Sequence, residues 1–185
     1  MKLDLNEILS RVGMRFPYSV EEAPIVDEDL ECDSPIVGSI IFSNTGSVLL
    51  VDGQISTQVV LECSRCLRYY QMDVDSVIEE QFPLEIKPVG PRGRHIQVVV
   101  EEDENPDAGK LFEGSLFNLT EMLRQNIMLS LPTQPLHAPD CKGLCPHCGT
   151  DLNDFTCDCD LTPVNPSLSK LGELLANKRV RIEPS

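Results

Sequence analysis

From Ile36 to Phe82 the apolar residues fall in short clusters rich in β-branched side chains: Ile36-Val37, Ile40-Ile41-Phe42, Val48-Leu49-Leu50-Val51, Ile55 and Val59-Val60-Leu61. Short apolar runs split by turn formers predict strands. Asn44-Thr45-Gly46 and Asp52-Gly53 supply the turn signals, and Asp-Gly between apolar runs predicts a hairpin. Further on, Met72, Val74 and Val77 alternate with Asp73, Asp75 and Ser76, and Ile78 and Phe82 follow. That alternation predicts a half-buried strand. The strands then run on either side of Cys63-Ser64-Arg65-Cys66, which places this CxxC at the tip of a long hairpin. Ile96 to Val100 reads as one more strand.

The period changes after Asn118. Leu119, Met122, Leu123 and Ile127 repeat at helical spacing, and Pro132 closes the segment. Asn118 followed three residues later by Glu121 resembles a capping box. A last helix is expected to start at Asn165-Pro166, with Leu168, Leu171, Leu174 and Leu175 as its apolar stripe. The fold class expected is α+β: a small antiparallel, barrel-like β core, a few helices and a C-terminal cysteine-rich segment like a zinc ribbon. The expected organisation is an acidic N-terminal arm (1–35), a β-rich core with its following helix (36–135), and the cysteine-rich segment with the last helix (136–185).

Charge narrows the functions. The 185 residues carry 15 Lys+Arg against 30 Asp+Glu, a formal net charge of −15. Coating of a nucleic-acid backbone is driven by Lys/Arg, so that role is disfavoured, as is docking on anionic membranes. The surplus is concentrated: residues 16–64 hold nine acidic side chains and no Lys or Arg. Such a stretch reads as a solvated, partly extended arm or as a docking surface for a basic partner. Glu101 to Glu104, before Asn105-Pro106, reads as a loop. No run approaches the length of a membrane helix, and the first residues lack a signal pattern, so a cytoplasmic location is expected.

Eight cysteines then need a reading: Cys32, Cys63, Cys66, Cys141, Cys145, Cys148, Cys157 and Cys159. Without a secretory signal, their tight local grouping favours metal over disulfides. Cys145-Pro146-His147-Cys148-Gly149 has the form of a zinc knuckle, and Cys157 and Cys159 follow after a loop long enough to return a second pair to the same ion. The favoured ligands are Cys145, Cys148, Cys157 and Cys159, with Cys141 able to replace Cys157 or Cys159. Four thiolates close a tetrahedral Zn²⁺ site, so zinc is expected as a structural cofactor. His147 reads as a surface residue. Cys63 and Cys66 remain open as half a metal site, with a distant pairing to Cys141 and another cysteine among the options, as a redox pair or as two ordinary thiols. Cys32 receives no role. No Walker loop, GxSxG, HExxH or dinucleotide-type glycine pattern is present, so no catalytic residue is named and a non-enzymatic protein is expected.

Cys-Ser-Arg-Cys-Leu after a β-rich segment, then CKGLCPHCGTDLN, then Cys-Asp-Cys and a Pro-x-Leu-x-x-Leu helix, resembles the bacterial large ribosomal RNA subunit accumulation protein family, also called YceD. The resemblance runs from about Ile36 to Leu175. It implies a cytoplasmic, non-enzymatic factor for accumulation or processing of large-subunit (23S) ribosomal RNA. By position, the family's CxRC falls on Cys63, Arg65 and Cys66, and its Asp-Pro-Arg-Leu falls on Asn165, Pro166, Ser167 and Leu168. Asn and Ser here replace Asp and Arg; the helix cap survives the change, but an RNA contact by that Arg would be lost. For so acidic a chain, a basic ribosomal protein or a pre-large-subunit particle is the expected partner, with any contact to ribosomal RNA indirect. Direct contacts would have to use Arg65 and Arg68, Lys87, Arg92 and Arg94, or Lys178, Arg179 and Arg181. The alternatives are a zinc-dependent interaction module in another pathway and a thiol-redox protein using Cys63 and Cys66.

Overall fold

Alternation along the strands decides which side of the sheet is buried. In the computed structural model, β2 (Arg15–Glu22), β3 (Ile36–Asn44), β4 (Val48–Glu62), β5 (Tyr69–Val89) and β6 (Gly93–Val98) form one antiparallel sheet in that order. The structure describes residues 1–89, 93–98 and 111–159, with backbone alone for 85–89 and 93–98. Ile36, Ile40 and Phe42 on β3, Leu49, Val51, Ile55 and Val59 on β4, and Val74 and Ile78 on β5 all face inward and are buried. The intervening residues form the opposite face. β6 covers the expected strand as far as Val98; Val99 and Val100 lie outside the described residues, as do the acidic run 101–104 and the expected helix after Asn165.

Two compact units make up the chain. The first comprises Met1–Ser64 and Arg68–Pro139; the second comprises Arg65–Leu67 and the residues from Asp140 on. In the first, α2 (Leu119–Ser130) buries Leu119, Met122, Leu123 and Ile127, the stripe expected from the sequence. The Asn118 side chain accepts from the backbone N–H of Glu121 at 3.3 Å, satisfying one of the orphan donors at the helix start. Ser76 on β5 ties the helix to the sheet, its hydroxyl donating to the Asn126 carbonyl (3.3 Å) and accepting from Ser130 (2.8 Å). A smaller sheet, β1 (Lys2–Asp4), β8 (Leu116–Asn118) and β7 (Phe112–Glu113), adds Phe112 and Phe117 to the same core. Phe117 meets Phe42 edge-on at 5.5 Å, a geometry that sets ring edges against ring faces.

Two local expectations need correction. Asp52-Gly53 does not turn; it lies inside β4, paired with Ile41 and Ile40 on one side and Glu79 and Ile78 on the other. A Cβ on Gly53 would stand 2.5 Å from the Ser39 carbonyl oxygen, so glycine serves close strand approach here. The turn signal that does operate is Asn44-Thr45-Gly46, where Gly46 has φ +98°. Asn44 is buried, and its amide donates to the carbonyls of Ile8 (2.8 Å) and Leu9 (3.1 Å). It thereby satisfies acceptors at the end of α1 (Asn6–Ser10). Second, the stretch 1–35 is not only an arm. It contains β1, α1 and β2, and β2 pairs with β3 along its whole length. Tyr18 and Val20 turn toward the core while Ser19 and Glu21 stay exposed, an alternation too short to stand out among so many acids.

Candidate metal centres

Two pieces of sequence, Cys63–Leu67 and Cys145–Gly149, fold alike. In each, the first cysteine's N–H donates to the carbonyl five residues on: Cys63 to Arg68 at 2.9 Å, and Cys145 to Thr150 at 2.8 Å. In each, the residue after the second cysteine is left-handed, Gly149 at φ +73° and Leu67 at φ +59°. Glycine adopts that conformation without strain, whereas a leucine resists it. Leu67 is the only described non-glycine residue with positive φ. The same tight turn therefore brings two thiols together at both places, once from a permissive sequence and once against local preference.

The second unit holds one group of ligand atoms. The sulfurs of Cys145, Cys148, Cys157 and Cys159 all lie within 4.8 Å of one another. Tetrahedral zinc with Zn–S of about 2.3 Å needs sulfurs about 3.8 Å apart, which a small contraction reaches. Electrostatics points the same way. The Thr150 hydroxyl, 3.2 Å from the Cys148 sulfur, heads the interactions that lower the Cys148 thiol to about 6. Its hydrogen bond with Cys148 pushes Cys159 up to about 12. Cys157 is raised as well: the Cys159 backbone N–H opposes the rise, but hydrogen bonds to Cys145 and Cys148, together with burial, outweigh it. Crowded thiols resist ionising together without a cation, and a divalent ion removes that resistance. The donor set and its spacing fit a bound soft metal.

Cys141, weighed from the sequence as a substitute ligand there, is placed elsewhere. The other group of ligand atoms within 4.8 Å of one another is Cys63, Cys66, His137 and Cys141. His137 Nδ1 lies 3.5 Å from the Cys63 sulfur. All three cysteines are buried. Asn153 helps hold Cys141: its amide donates to the sulfur at 3.6 Å, and its Oδ1 accepts from the Lys142 N–H at 2.8 Å. Arg65, a candidate RNA contact from the sequence, donates from Nη1 to the Cys141 carbonyl at 2.7 Å. The sequence reading missed His137. Its signal is the His137-x-x-x-Cys141 spacing, a common second half for a site begun by CxxC.

The remaining sequence candidates fall outside both groups. His147 is exposed and belongs to neither. Cys32 is buried in the core, where burial raises its thiol above the ordinary range. Arg68 is exposed, and Lys87 and Arg94 lie on β5 and β6. Arg92, Lys178, Arg179 and Arg181 lie outside the described residues. Among the described residues, no helix is long and apolar enough to cross a membrane.

The molecule is thus a mixed α/β protein of antiparallel sheets and few helices, with two cysteine-containing groups able to hold a metal ion. A family model, "Large ribosomal RNA subunit accumulation protein YceD", matches residues 51–175, and the chain belongs to that family. Among curated proteins it is similar to uncharacterized proteins of Mycobacterium bovis and Mycobacterium tuberculosis, each 27% identical over 143 residues, 77% of this chain and 58% of the relative. An uncharacterized protein of Mycobacterium leprae is 27% identical over 123 residues, 66% of this chain and 52% of the relative. The chain therefore spans little more than half the length of these relatives. No solved structure matches it.

Proposed function

We propose that this protein is a non-enzymatic, cytoplasmic ribosome-biogenesis factor that supports accumulation of large-subunit ribosomal RNA by binding a basic ribosomal protein or a pre-ribosomal particle. The family match over residues 51–175 is the observation that carries this reading. The metal groups give it a physical frame. Four ligands around each candidate ion leave no open coordination position, and a closed site stabilises structure instead of activating water. Sulfur-rich donors suit zinc, which we assign to both groups. Cys145, Cys148, Cys157 and Cys159 would hold one ion; Cys63, Cys66 and Cys141 with His137 would hold the other. As a structural cofactor, zinc would fix the two left-handed turns in place.

The surplus of acidic groups favours a cationic protein as the direct partner, because contact with bare RNA would bring like charges together. Deleting the gene and separating ribosomal particles on a sucrose gradient tests the reading. The expected result is a loss of free large subunits and of their ribosomal RNA, restored by the intact gene. Unchanged large-subunit RNA in the deletion strain would contradict it.

A further inference from the structure

The side of the main sheet that faces away from α2 carries a pattern that folding alone does not explain. Val37, Ile41 and Val77 lie on it at 45%, 43% and 60% exposure, although strands β3 to β5 bury nearly every apolar side chain on their other face. Pairing sets these residues in rows across the strands. Val37 stands beside Ser56 and Asp75; Ser39 stands beside Gln54 and Val77; Ile41 stands beside Asp52 and Glu79. Between the first two rows lies a shallow depression of about 380 Å³.

The third row matters most. Asp52 and Glu79 are direct cross-strand partners, both exposed. Like charges placed opposite each other on one face are destabilising. Glu21 and Asp75, at the two ends of the first row, add to the same field. Arg15 is the single Lys or Arg on β2, β3, β4 and the part of β5 up to Leu84. The face thus combines aliphatic anchors with a surplus of negative charge, against which Arg15, lining a second shallow depression with Ile41 and Asp52, is the one cation among the described side chains of these strands. A cation supplied by another molecule would relieve that repulsion, and an aliphatic side chain beside it would cover Val37 or Val77.

We infer that this face of β2–β5 docks a Lys/Arg-rich polypeptide segment that carries interspersed aliphatic side chains. The inference rests on the basic-partner reading above and names the surface that would serve it. An extended segment places side chains alternately on its two sides, so one side could present cations to Asp52, Asp75 and Glu79 while aliphatic neighbours fill the depression.

The test uses the full zinc-loaded chain and a short synthetic peptide in which Lys and Arg alternate with Val and Leu. Titration followed by amide NMR is expected to shift signals of β3, β4 and β5. The combined variant Asp52→Asn, Asp75→Asn, Glu79→Gln should weaken binding about tenfold, as should raised salt. Val77→Ser should weaken it without changing the salt dependence. Glu28→Gln with Glu31→Gln, which removes acidity elsewhere in the same unit, should leave it unchanged. All these positions are exposed, so circular dichroism should show every variant folded. Equal affinity in the triple variant, or shifts confined to other surfaces, would overturn the inference. So would a dimer in sedimentation that Val77→Asp dissociates, because a second copy would then be the occupant. Peptide binding here combined with normal ribosomal RNA in the deletion strain would keep this face and sink the ribosomal reading. Lost ribosomal RNA with a peptide indifferent to the triple variant would do the reverse.

Discussion

Leu67 and Gly149 occupy the same place in two similar turns, and the pair shows what a single residue contributes. Both have positive φ. A Cβ on Gly149 would meet nothing within 4 Å, so a side chain there brings backbone strain alone. Gly149→Ala should therefore cost about 1 kcal/mol. Leu67 is 55% exposed, so removing its side chain sacrifices little packing. Leu67→Gly should raise stability by up to about 1 kcal/mol, the relief of strain being partly offset by a freer unfolded chain. Urea unfolding of the two variants checks both signs; a destabilised Leu67→Gly would show that its side chain matters more than its conformation. None of this strain was legible in the sequence. Cys145-x-x-Cys148-Gly149 announces its turn through the glycine, whereas Cys63-x-x-Cys66-Leu67 reads as an ordinary pair of cysteines. His137 was missed for a related reason: the His137-x-x-x-Cys141 pair lies 74 residues from Cys63, and only folding joins the two halves.

At the scale of elements, the hydrophobic pattern was informative wherever one face of a strand or helix is buried. It placed the hairpin around Cys63–Cys66 and the helix stripe of α2, because burial forces those periods. It misplaced a turn at Asp52-Gly53, because glycine has two uses that look alike in a sequence. Gly53 lacks positive φ and sits where β3 comes close. Gly38 is tighter still, since a Cβ there would stand only 2.1 Å from the Gln54 carbonyl oxygen. Overpacking against backbone typically costs about 1–3 kcal/mol. Gly53→Ala should fall in that range and Gly38→Ala should exceed it. Equilibrium denaturation orders the two; a neutral Gly53→Ala would mean that the strands can separate without penalty.

For the whole molecule, a net charge of −15 argued in the sequence against nucleic-acid coating and anionic membranes. The fold gives that charge a place. Six of the acidic side chains, Glu21, Asp52, Glu62, Asp73, Asp75 and Glu79, sit exposed on strands whose inner faces are buried, so an exposed acidic face and a buried core are two sides of one sheet. The metal groups are the other feature with consequences at this scale. Zinc binding contributes roughly 10–16 kcal/mol to folding in small zinc peptides. Cys148→Ser leaves three thiols in its group and should remove about half of that contribution there, while the sheet, with its own core, keeps its cooperative unfolding.

The most direct measurement is the metal content of the full chain, purified without added metal, together with that of Cys148→Ser. Two zinc ions per chain are expected, falling to one in the variant with the β signal in circular dichroism retained. A chain without zinc, or a Cys148→Ser variant with undiminished zinc, would contradict it.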